Sequence, residues 1–197
     1  THDHEGMVGH LLRRRPRRFG SSCIALMLPR RDVASAAARR QFVGQPPKCV
    51  NSLHYHNSAE VFFILRGKWR FFWGLNGDAG EVILQEGDLI SMPTRIFRGF
   101  ENVGTDYGMI MAILGGDDAG GGVIWAPQVL ENALAHGLVL SEKGVLYDTK
   151  KGETLPIGEQ PMPPLTPKQL ADIVELPVES LIPQYVARYW DMVALAK

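Results

Sequence analysis

The chain has 197 residues, and its 21 lysine and arginine residues balance 21 aspartate and glutamate residues. A formal net charge of zero argues against a polyanionic partner, and the length suits one well-buried domain with appendages. Two cysteines are too few for a disulfide framework, and no apolar stretch approaches the roughly 20 residues of a membrane-spanning helix. We therefore expect a cytoplasmic protein that binds neither nucleic acid nor a membrane.

The N-terminal segment is locally basic. The run from Arg13 to Arg18 contains five arginines and one proline. Such a run could contact nucleic acid or lipid headgroups, but no aromatic residues lie between the arginines to stack on bases. We expect residues 1–20 to form a solvated basic arm.

Residues 21–115 consist of short apolar or alternating runs broken by Gly, Pro, Asn and Asp, which is typical of an all-β sandwich or barrel. Trp69, Phe71 and Trp73 share one face of a strand by period two, and we assign them to the core. Eight short strands suit a jelly roll. The predicted strands cover residues 22–28, 49–55, 60–66, 68–75, 81–85, 88–92, 96–101 and 107–114.

The pattern changes after the barrel, where residues 116–197 form a Gly/Pro-rich connection and a helical tail. The glycine-rich run lacks the Gly-Lys-Ser/Thr ending of a phosphate loop. We predict helices over 128–136, from Pro167 with Thr166 as N-cap, and over 179–195. Because such a tail cannot bury its apolar face alone, we expect it to pack on the barrel or on a dimer partner.

The strongest local signal is the cluster His54, His56 and Glu60. Residues two apart on a strand point the same way, so both imidazoles can face one side, and Glu60 keeps the same parity as the chain enters the next strand. Two imidazoles and one carboxylate form a ligand set that suits Fe²⁺ and also accepts Mn²⁺, Ni²⁺, Cu²⁺ or Zn²⁺. We therefore predict a divalent metal site inside the barrel.

The spacing of this cluster resembles the first signature of the cupin superfamily, since it runs His54-x-His56-x3-Glu60-x6-Gly67. Lys48 stands where that signature usually has a glycine, six residues before the first histidine. The resemblance implies a double-stranded β-helix, or jelly-roll, barrel over residues 21–115. It says little about activity, because cupins include oxygenases, isomerases, lyases, storage proteins and sensors.

The second cupin signature usually runs Gly-x5-Pro-x-Gly-x2-His-x3-Asn. Here it reads Gly87, Pro93, Arg95, Arg98 and Asn102, so its frame is kept but its histidine is replaced by Arg98. Arg95 is expected near the barrel mouth, where it either helps to capture an anion or is solvated.

A guanidinium has no free lone pair, so Arg98 cannot be a metal ligand. Its role in the site can therefore be interpreted in several ways. In one reading the metal keeps open positions and Arg98 binds a substrate carboxylate. In another Arg98 forms a buried ion pair with Glu60 that competes with the metal. Arg98 could also turn outward.

Neighbouring side chains complete the predicted site. Phe62 and Ile64 continue the inward face and should wall a substrate pocket together with Arg98. Cys49 and Tyr55 have the opposite parity to His54, so both should face away from it, with Cys49 as a packed thiol. Four further histidines are expected to be exposed and not to be ligands. These are His2, His4, His10 and His136.

Three functions are compatible with these residues. The first is a non-haem dioxygenase-type oxidoreductase that uses Fe²⁺ and a small enolic, phenolic or carboxylated substrate, with Glu60 and Arg98 as candidate catalytic residues. The second is an isomerase or lyase in which the metal is a Lewis acid. The third is a non-catalytic, small-molecule-binding cupin in which Arg98 and Glu60 neutralise each other. Because cupins commonly pair, we expect a homodimer.

Overall fold

The computed structural model describes residues 18–19, 22–24, 38–115 and 123–196, and it describes the side chains of residues 42–115 and 123–196. Most of the predicted basic arm, with its three histidines, lies outside this part of the chain. So do the second half of the first predicted strand and most of the glycine-rich run.

The described residues form strands β1 to β14, four α-helices and one short 3-10 helix. The strands are β1 (Arg18–Phe19), β2 (Ser22–Ile24), β3 (Ala38–Gln45), β4 (Cys49–Tyr55), β5 (Glu60–Arg66), β6 (Lys68–Trp73), β7 (Gly80–Gln85), β8 (Leu89–Met92), β9 (Arg98–Asn102), β10 (Gly108–Gly115), β11 (Ile124–Trp125), β12 (Leu138–Leu140), β13 (Leu146–Asp148) and β14 (Val186–Ala187). The helices are α1 (Pro127–Ala135), the 3-10 helix Thr149–Lys151, α2 (Pro167–Ala171), α3 (Val178–Tyr185) and α4 (Tyr189–Leu195). Among these helices none has the length and apolar character needed to cross a membrane.

Two sheets face each other and enclose the core, which gives the jelly roll expected from the sequence. One sheet has the strand order β1-β2-β4-β9-β6-β7, with β11 beside β4. The other has the order β14-β8-β5-β10-β3, and β12 and β13 form a separate hairpin. The fold is therefore mostly β, a cupin-like double-stranded β-helix with a helical C-terminal tail.

Aromatic side chains fill the space between the sheets. Trp69, Phe71 and Trp73 are fully buried, which confirms their predicted core position. The ring centroids of Phe62 and Phe71 are 5.1 Å apart, and those of Phe71 and Phe100 are 5.6 Å apart. These contacts join the two sheets, because β5 carries Phe62 while β6 and β9 carry the other two rings.

The predicted strands over residues 49–55 and 60–66 match β4 and β5, and those from residue 68 to residue 114 end within two residues of the observed bounds. β3 was not predicted. It begins at Ala38 and continues with the polar residues Arg39, Arg40 and Gln41, which obscure the strand pattern. Its full length pairs with β10, so tertiary pairing rather than local sequence forms this strand.

The predicted single helix over residues 179–195 is wrong at its centre. Helix α3 ends at Tyr185, and the extended strand β14 pairs with β8 before α4 begins. Asp88 accounts for this interruption: it accepts hydrogen bonds from the backbone N–H of Tyr189 at 2.9 Å and from Arg188 Nη1 at 3.0 Å. These tertiary bonds outweigh the helical pattern of the segment.

The tail packs on its own barrel. Leu181 of α3 is fully buried within the barrel's apolar core. The indole of Trp73 donates a hydrogen bond to the backbone oxygen of Leu176 at 2.7 Å, and the backbone N–H of Leu75 donates one to Glu175 at 2.8 Å. The tail therefore completes the core of the barrel.

We predict that Leu181→Ala lowers the free energy of unfolding by about 2–5 kcal/mol, because it removes buried methyl groups and leaves a cavity. Leu195→Ala is the matched control, since Leu195 is 88% exposed in the same tail and its loss should change stability by less than about 0.5 kcal/mol. Urea unfolding followed by tryptophan fluorescence measures both. Equal, small effects would show that the tail does not unfold together with the barrel.

Candidate metal centre

Four buried side chains meet at one end of the barrel. His54 lies near the end of β4, Glu60 begins β5, Arg98 begins β9, and His56 lies in the connection between β4 and β5. Their relative exposures are 1% for His54, 4% for His56 and 0% for Glu60 and Arg98. The structure thus brings together the residues that the sequence nominates, with Arg98 directly opposite His54 on the neighbouring strand.

A β-bulge in β4 orients His54 into the barrel. Asn51 is paired with Phe100, and His54 is paired with Arg98. The chain therefore moves three residues along β4 while it moves two along β9, so β4 contains one extra residue. Because side chains alternate along a strand, this extra residue places Asn51 and His54 on the same inner face. The expectation that Cys49 faces away from His54 is therefore wrong, since Cys49 shares the inner face with Asn51 and is buried.

The three candidate ligands lie close enough together for one metal ion to bind all of them after small side-chain rotations. One ligand atom from each of His54, His56 and Glu60 lies within 4.8 Å of the others. The two imidazole rings are 5.2 Å apart and nearly perpendicular, and His56 Nε2 is 3.8 Å from Glu60 Oε2. Because such ligand atoms bind at about 2.0–2.2 Å from a metal, small side-chain rotations would close the set.

The tautomer of His54 is fixed by the backbone. Its Nδ1 is 2.7 Å from the backbone oxygen of Ser52. A carbonyl oxygen can only accept a hydrogen bond, so Nδ1 carries the proton and Nε2 keeps its lone pair. Metal-binding histidines are commonly oriented in this way, with one nitrogen donating to the protein and the other directed at the metal.

Several buried polar atoms of the cluster have no hydrogen-bond partner within the described part of the chain. Both ring nitrogens of His56, Oε1 of Glu60 and Nε of Arg98 are in this state. Leaving such atoms unpaired in an apolar interior costs free energy. A divalent ion would satisfy a nitrogen of His56 and the free oxygen of Glu60 together, so the residues present fit a metal.

Arg98 lies on Glu60, as one of the sequence readings anticipates. Its Nη2 donates to Glu60 Oε2 at 2.5 Å, and its Nη1 donates to the backbone oxygen of His54 at 3.3 Å. This ion pair uses only one of the two carboxylate oxygens. The guanidinium therefore holds the carboxylate without occupying Oε1, and the ion pair and a metal can coexist.

Burial determines the protonation of the two imidazoles. Removal from water lowers the pKa of His54 well below its usual range, and the positive charge of Arg98 adds to the decrease. The same two causes lower the pKa of His56 to about 3. Both rings are thus neutral at neutral pH, the form that binds metal. Burial also raises the pKa of Glu60, while the guanidinium of Arg98 opposes that increase.

Trp125 is a neighbour of the site that the sequence analysis missed. Strand β11 places Trp125 opposite His54, and the two rings are 5.3 Å apart. Trp125 is only 5% exposed, and its ring packs beside the ring of His54 on the same face of the sheet. The sequence does not predict β11, because the strand has only two residues and follows a glycine-rich run. The apolar pair Ile124 and Trp125, close to Pro127, is the one feature that could have indicated it.

Comparison with known proteins identifies the barrel. A family profile described as the cupin domain matches residues 41–114. The chain therefore contains a cupin domain, over residues 41–114. No curated protein sequence matches the chain significantly. Cupins commonly bind a divalent metal, and the candidate ligands His54, His56 and Glu60 lie inside the matched region.

Several solved structures resemble part of this chain at low sequence identity and with TM-scores below 0.5. Hazelnut (Corylus avellana) vicilin is 18% identical with a TM-score of 0.39, over 44% of this chain and 25% of that one. Oxalate decarboxylase from Lactobacillus farciminis is 19% identical with a TM-score of 0.43, over 52% and 29%. A conserved Klebsiella pneumoniae protein with a double-stranded β-helix domain is 14% identical with a TM-score of 0.42, over 48% and 75%. This chain thus spans under a third of the first two proteins.

The remaining predicted site residues lie at defined places in this cupin. Phe62 and Ile64 are fully buried among the core side chains beneath the candidate ligands. Tyr55 lies outside the barrel strands as expected, but it is buried against Phe97, with ring centroids 5.0 Å apart. His136 is exposed beside the end of α1, as predicted.

We predict that acid destabilises the metal-free cupin as the pH falls from about 6.5 to about 3. Unfolded histidines bind a proton below about pH 6.5, whereas native His56 stays neutral down to about pH 3. The unfolded state then binds more protons, so the free energy of unfolding falls by up to about 1.4 kcal/mol per pH unit for each such histidine. Urea unfolding at a series of pH values, in the presence of a chelator, measures the slope of the free energy of unfolding against pH.

Two variants test the source of this slope. His56→Gln should make it shallower, because the proton uptake that distinguishes the two states is removed. His136→Gln, which changes an exposed side chain, should leave the slope as it is. A wild-type slope in His56→Gln would mean that this imidazole is not kept neutral by burial.

We predict strong energetic coupling between Glu60 and Arg98. Glu60→Gln or Arg98→Met alone should cost about 3–5 kcal/mol, because each leaves the other buried group without its partner. The double variant should cost clearly less than the sum of the two. The exposed pair Arg70 and Glu81, 3.2 Å apart, serves as the control and should couple by less than about 1 kcal/mol. Additive costs at Glu60 and Arg98 would contradict the ion pair.

Proposed function

We propose that this cupin is a metal-dependent enzyme of the non-haem dioxygenase type, with a divalent metal held by His54, His56 and Glu60. The observation that carries the proposal is the set of buried donor atoms without protein partners. These atoms are both ring nitrogens of His56 and Oε1 of Glu60. His54 contributes a further ligand atom. Its Nδ1 donates a hydrogen bond to the Ser52 carbonyl oxygen, which leaves the lone pair on Nε2 available to a metal.

The ligand set favours Fe²⁺ and O₂ chemistry over a closed structural site. Two histidines and one carboxylate leave coordination positions for a substrate and O₂. A fourth protein ligand is excluded at the position where cupins usually have a second-signature histidine, because Arg98 stands there and cannot ligate. When bound, Fe²⁺ would supply the electron transfer that allows O₂ to react with an organic substrate.

The protein side chains would position the reactants. Arg98 favours the ionised form of Glu60 and holds the carboxylate through Oε2, so that its other oxygen remains available. The Nε of Arg98 is buried without a partner among the described residues and is one donor available to a substrate carboxylate. Phe62 and Ile64 lie below the ligands and keep water from that side of the site. A small enolic, phenolic or carboxylated molecule suits these groups.

A second candidate function is favoured by one contact. The 2.5 Å bond between Arg98 Nη2 and Glu60 Oε2 already neutralises the carboxylate. If the ion pair replaces the metal, the protein is a small-molecule-binding cupin without chemistry. The two candidates differ in whether His56 and Oε1 of Glu60 gain a partner.

Metal titration separates these two functions. The chain should bind about one equivalent of Fe²⁺ or Co²⁺ under anaerobic conditions, and binding should raise its unfolding temperature. His54→Ala and His56→Ala should each weaken binding by about a hundredfold or more, because each removes a ligand. Arg98→Met should still bind one equivalent, since the guanidinium is not a ligand. His136→Ala is the matched control and should behave as the wild type.

The outcomes assign the function. Less than about 0.1 equivalent of metal in the wild type, with no thermal stabilisation by Fe²⁺, Mn²⁺, Ni²⁺ or Zn²⁺, would favour the non-catalytic cupin. If metal binds, the loaded protein is assayed for O₂ uptake with panels of enolic, phenolic and carboxylated compounds. Turnover that requires O₂ supports the dioxygenase proposal. Turnover that continues without O₂ would replace it with a Lewis-acid isomerase or lyase.

A further inference from the structure

A cavity of about 390 Å³ lies outside the barrel, among residues that follow the cupin domain. We call it the C-terminal cavity. Helix α1, strand β12 and the proline-rich residues 161–166 form its walls. Its apolar lining includes Leu130, Leu134, Leu138, Leu140, Met162 and Leu165.

The lining defines the chemistry of a suitable ligand. All but three of the lining residues are apolar, and the exceptions are Glu131, Thr166 and Gln169. Small-molecule sites are typically concave, mostly apolar and of about 300–1,000 Å³, with a few polar groups. Glu131 is the one ionisable residue of this lining, and its negative charge disfavours an anionic ligand. Leu134 is 64% exposed on the cavity wall, so a ligand would cover apolar surface that now faces water.

The cavity adjoins the metal centre through one side chain. Trp125 lines the cavity, and its ring also lies 5.3 Å from the ring of His54. Trp125 belongs to β11, which is paired with β4, so the wall between the two sites is held by backbone hydrogen bonds. A ligand in the cavity would therefore sit against the indole that packs beside a candidate metal ligand.

We propose that the C-terminal cavity binds an uncharged, apolar small molecule. The proposal rests on the volume, the apolar lining and the single acidic group, and it does not depend on the proposed enzyme function. It also places a binding site in the part of the chain outside the matched cupin domain. A metal-free protein should bind the ligand, so the two proposals can fail separately.

A matched pair of fluorescent probes tests the proposal on the full chain in the presence of a chelator. N-phenyl-1-naphthylamine is neutral, and 1-anilinonaphthalene-8-sulfonate is the same molecule with a sulfonate. The neutral probe should bind with saturation at one equivalent and at least about tenfold more tightly than the sulfonate. Equal or tighter binding of the sulfonate would overturn the assignment of an uncharged ligand.

Two tryptophan substitutions in α1 locate the binding site. Ala133 lines the cavity, whereas Ala135 is exposed on the same helix and does not line it. Ala133→Trp should fill the cavity and weaken binding of the neutral probe by about tenfold or more, while Ala135→Trp should bind like the wild type. Circular dichroism confirms that both variants fold. Equal binding by the two variants would place the probe elsewhere.

Energy transfer from tryptophan to the probe gives an independent location. Trp125→Phe should reduce the transfer strongly, whereas Trp190→Phe, which changes a residue that is 67% exposed on α4, should reduce it little. The reverse order would overturn the proposal. Absence of probe binding would also overturn it. Binding that falls as protein concentration rises would instead assign the cavity to a second copy of the chain.

Discussion

The rest of this structure depends on how a carboxylate is kept inside an apolar barrel. Glu60 is fully buried, and an isolated charge in that position would cost far more than the marginal stability of a domain. Arg98 supplies the opposite charge across two sheets, because Glu60 begins β5 and Arg98 begins β9. The pair uses Oε2 of the carboxylate and leaves Oε1 without a hydrogen-bond partner among the described residues. With an arginine at this position, the candidate site has three side chains that could ligate a metal, namely those of His54, His56 and Glu60.

The sequence predicts the candidate ligands well because their spacing is local. His54, His56 and Glu60 lie within seven consecutive residues, and the strands that carry the first and last of them were predicted to the residue. The orientation of Cys49 could not be predicted in the same way. A bulge adds one residue to β4 and inverts the parity of the preceding side chains, and its position depends on pairing with β9. The edge strand β3 and the break between α3 and α4 likewise depend on distant partners.

The two glycine positions at which this chain departs from the cupin signatures show how strongly the barrel determines its backbone. Lys48 and Arg95 have φ angles of 63° and 65°, in the left-handed region that usually requires glycine. A hydrogen bond of 2.8 Å from the backbone N–H of Lys48 to the oxygen of Asn102 holds the first of these turns. The turn geometry is therefore kept although the residue type that favours it is lost, and the tertiary structure bears the strain.

What distinguishes this cupin lies largely outside the region that identifies it as one. The family match ends at residue 114, yet Trp125 packs beside His54 and Leu181 fills part of the barrel core. The C-terminal cavity is also formed by residues beyond that match. Metal ligands alone do not specify a substrate, because the same ligand set serves many reactions. On the proposed function, residues 123–196 are therefore where the basis of substrate selectivity should be sought.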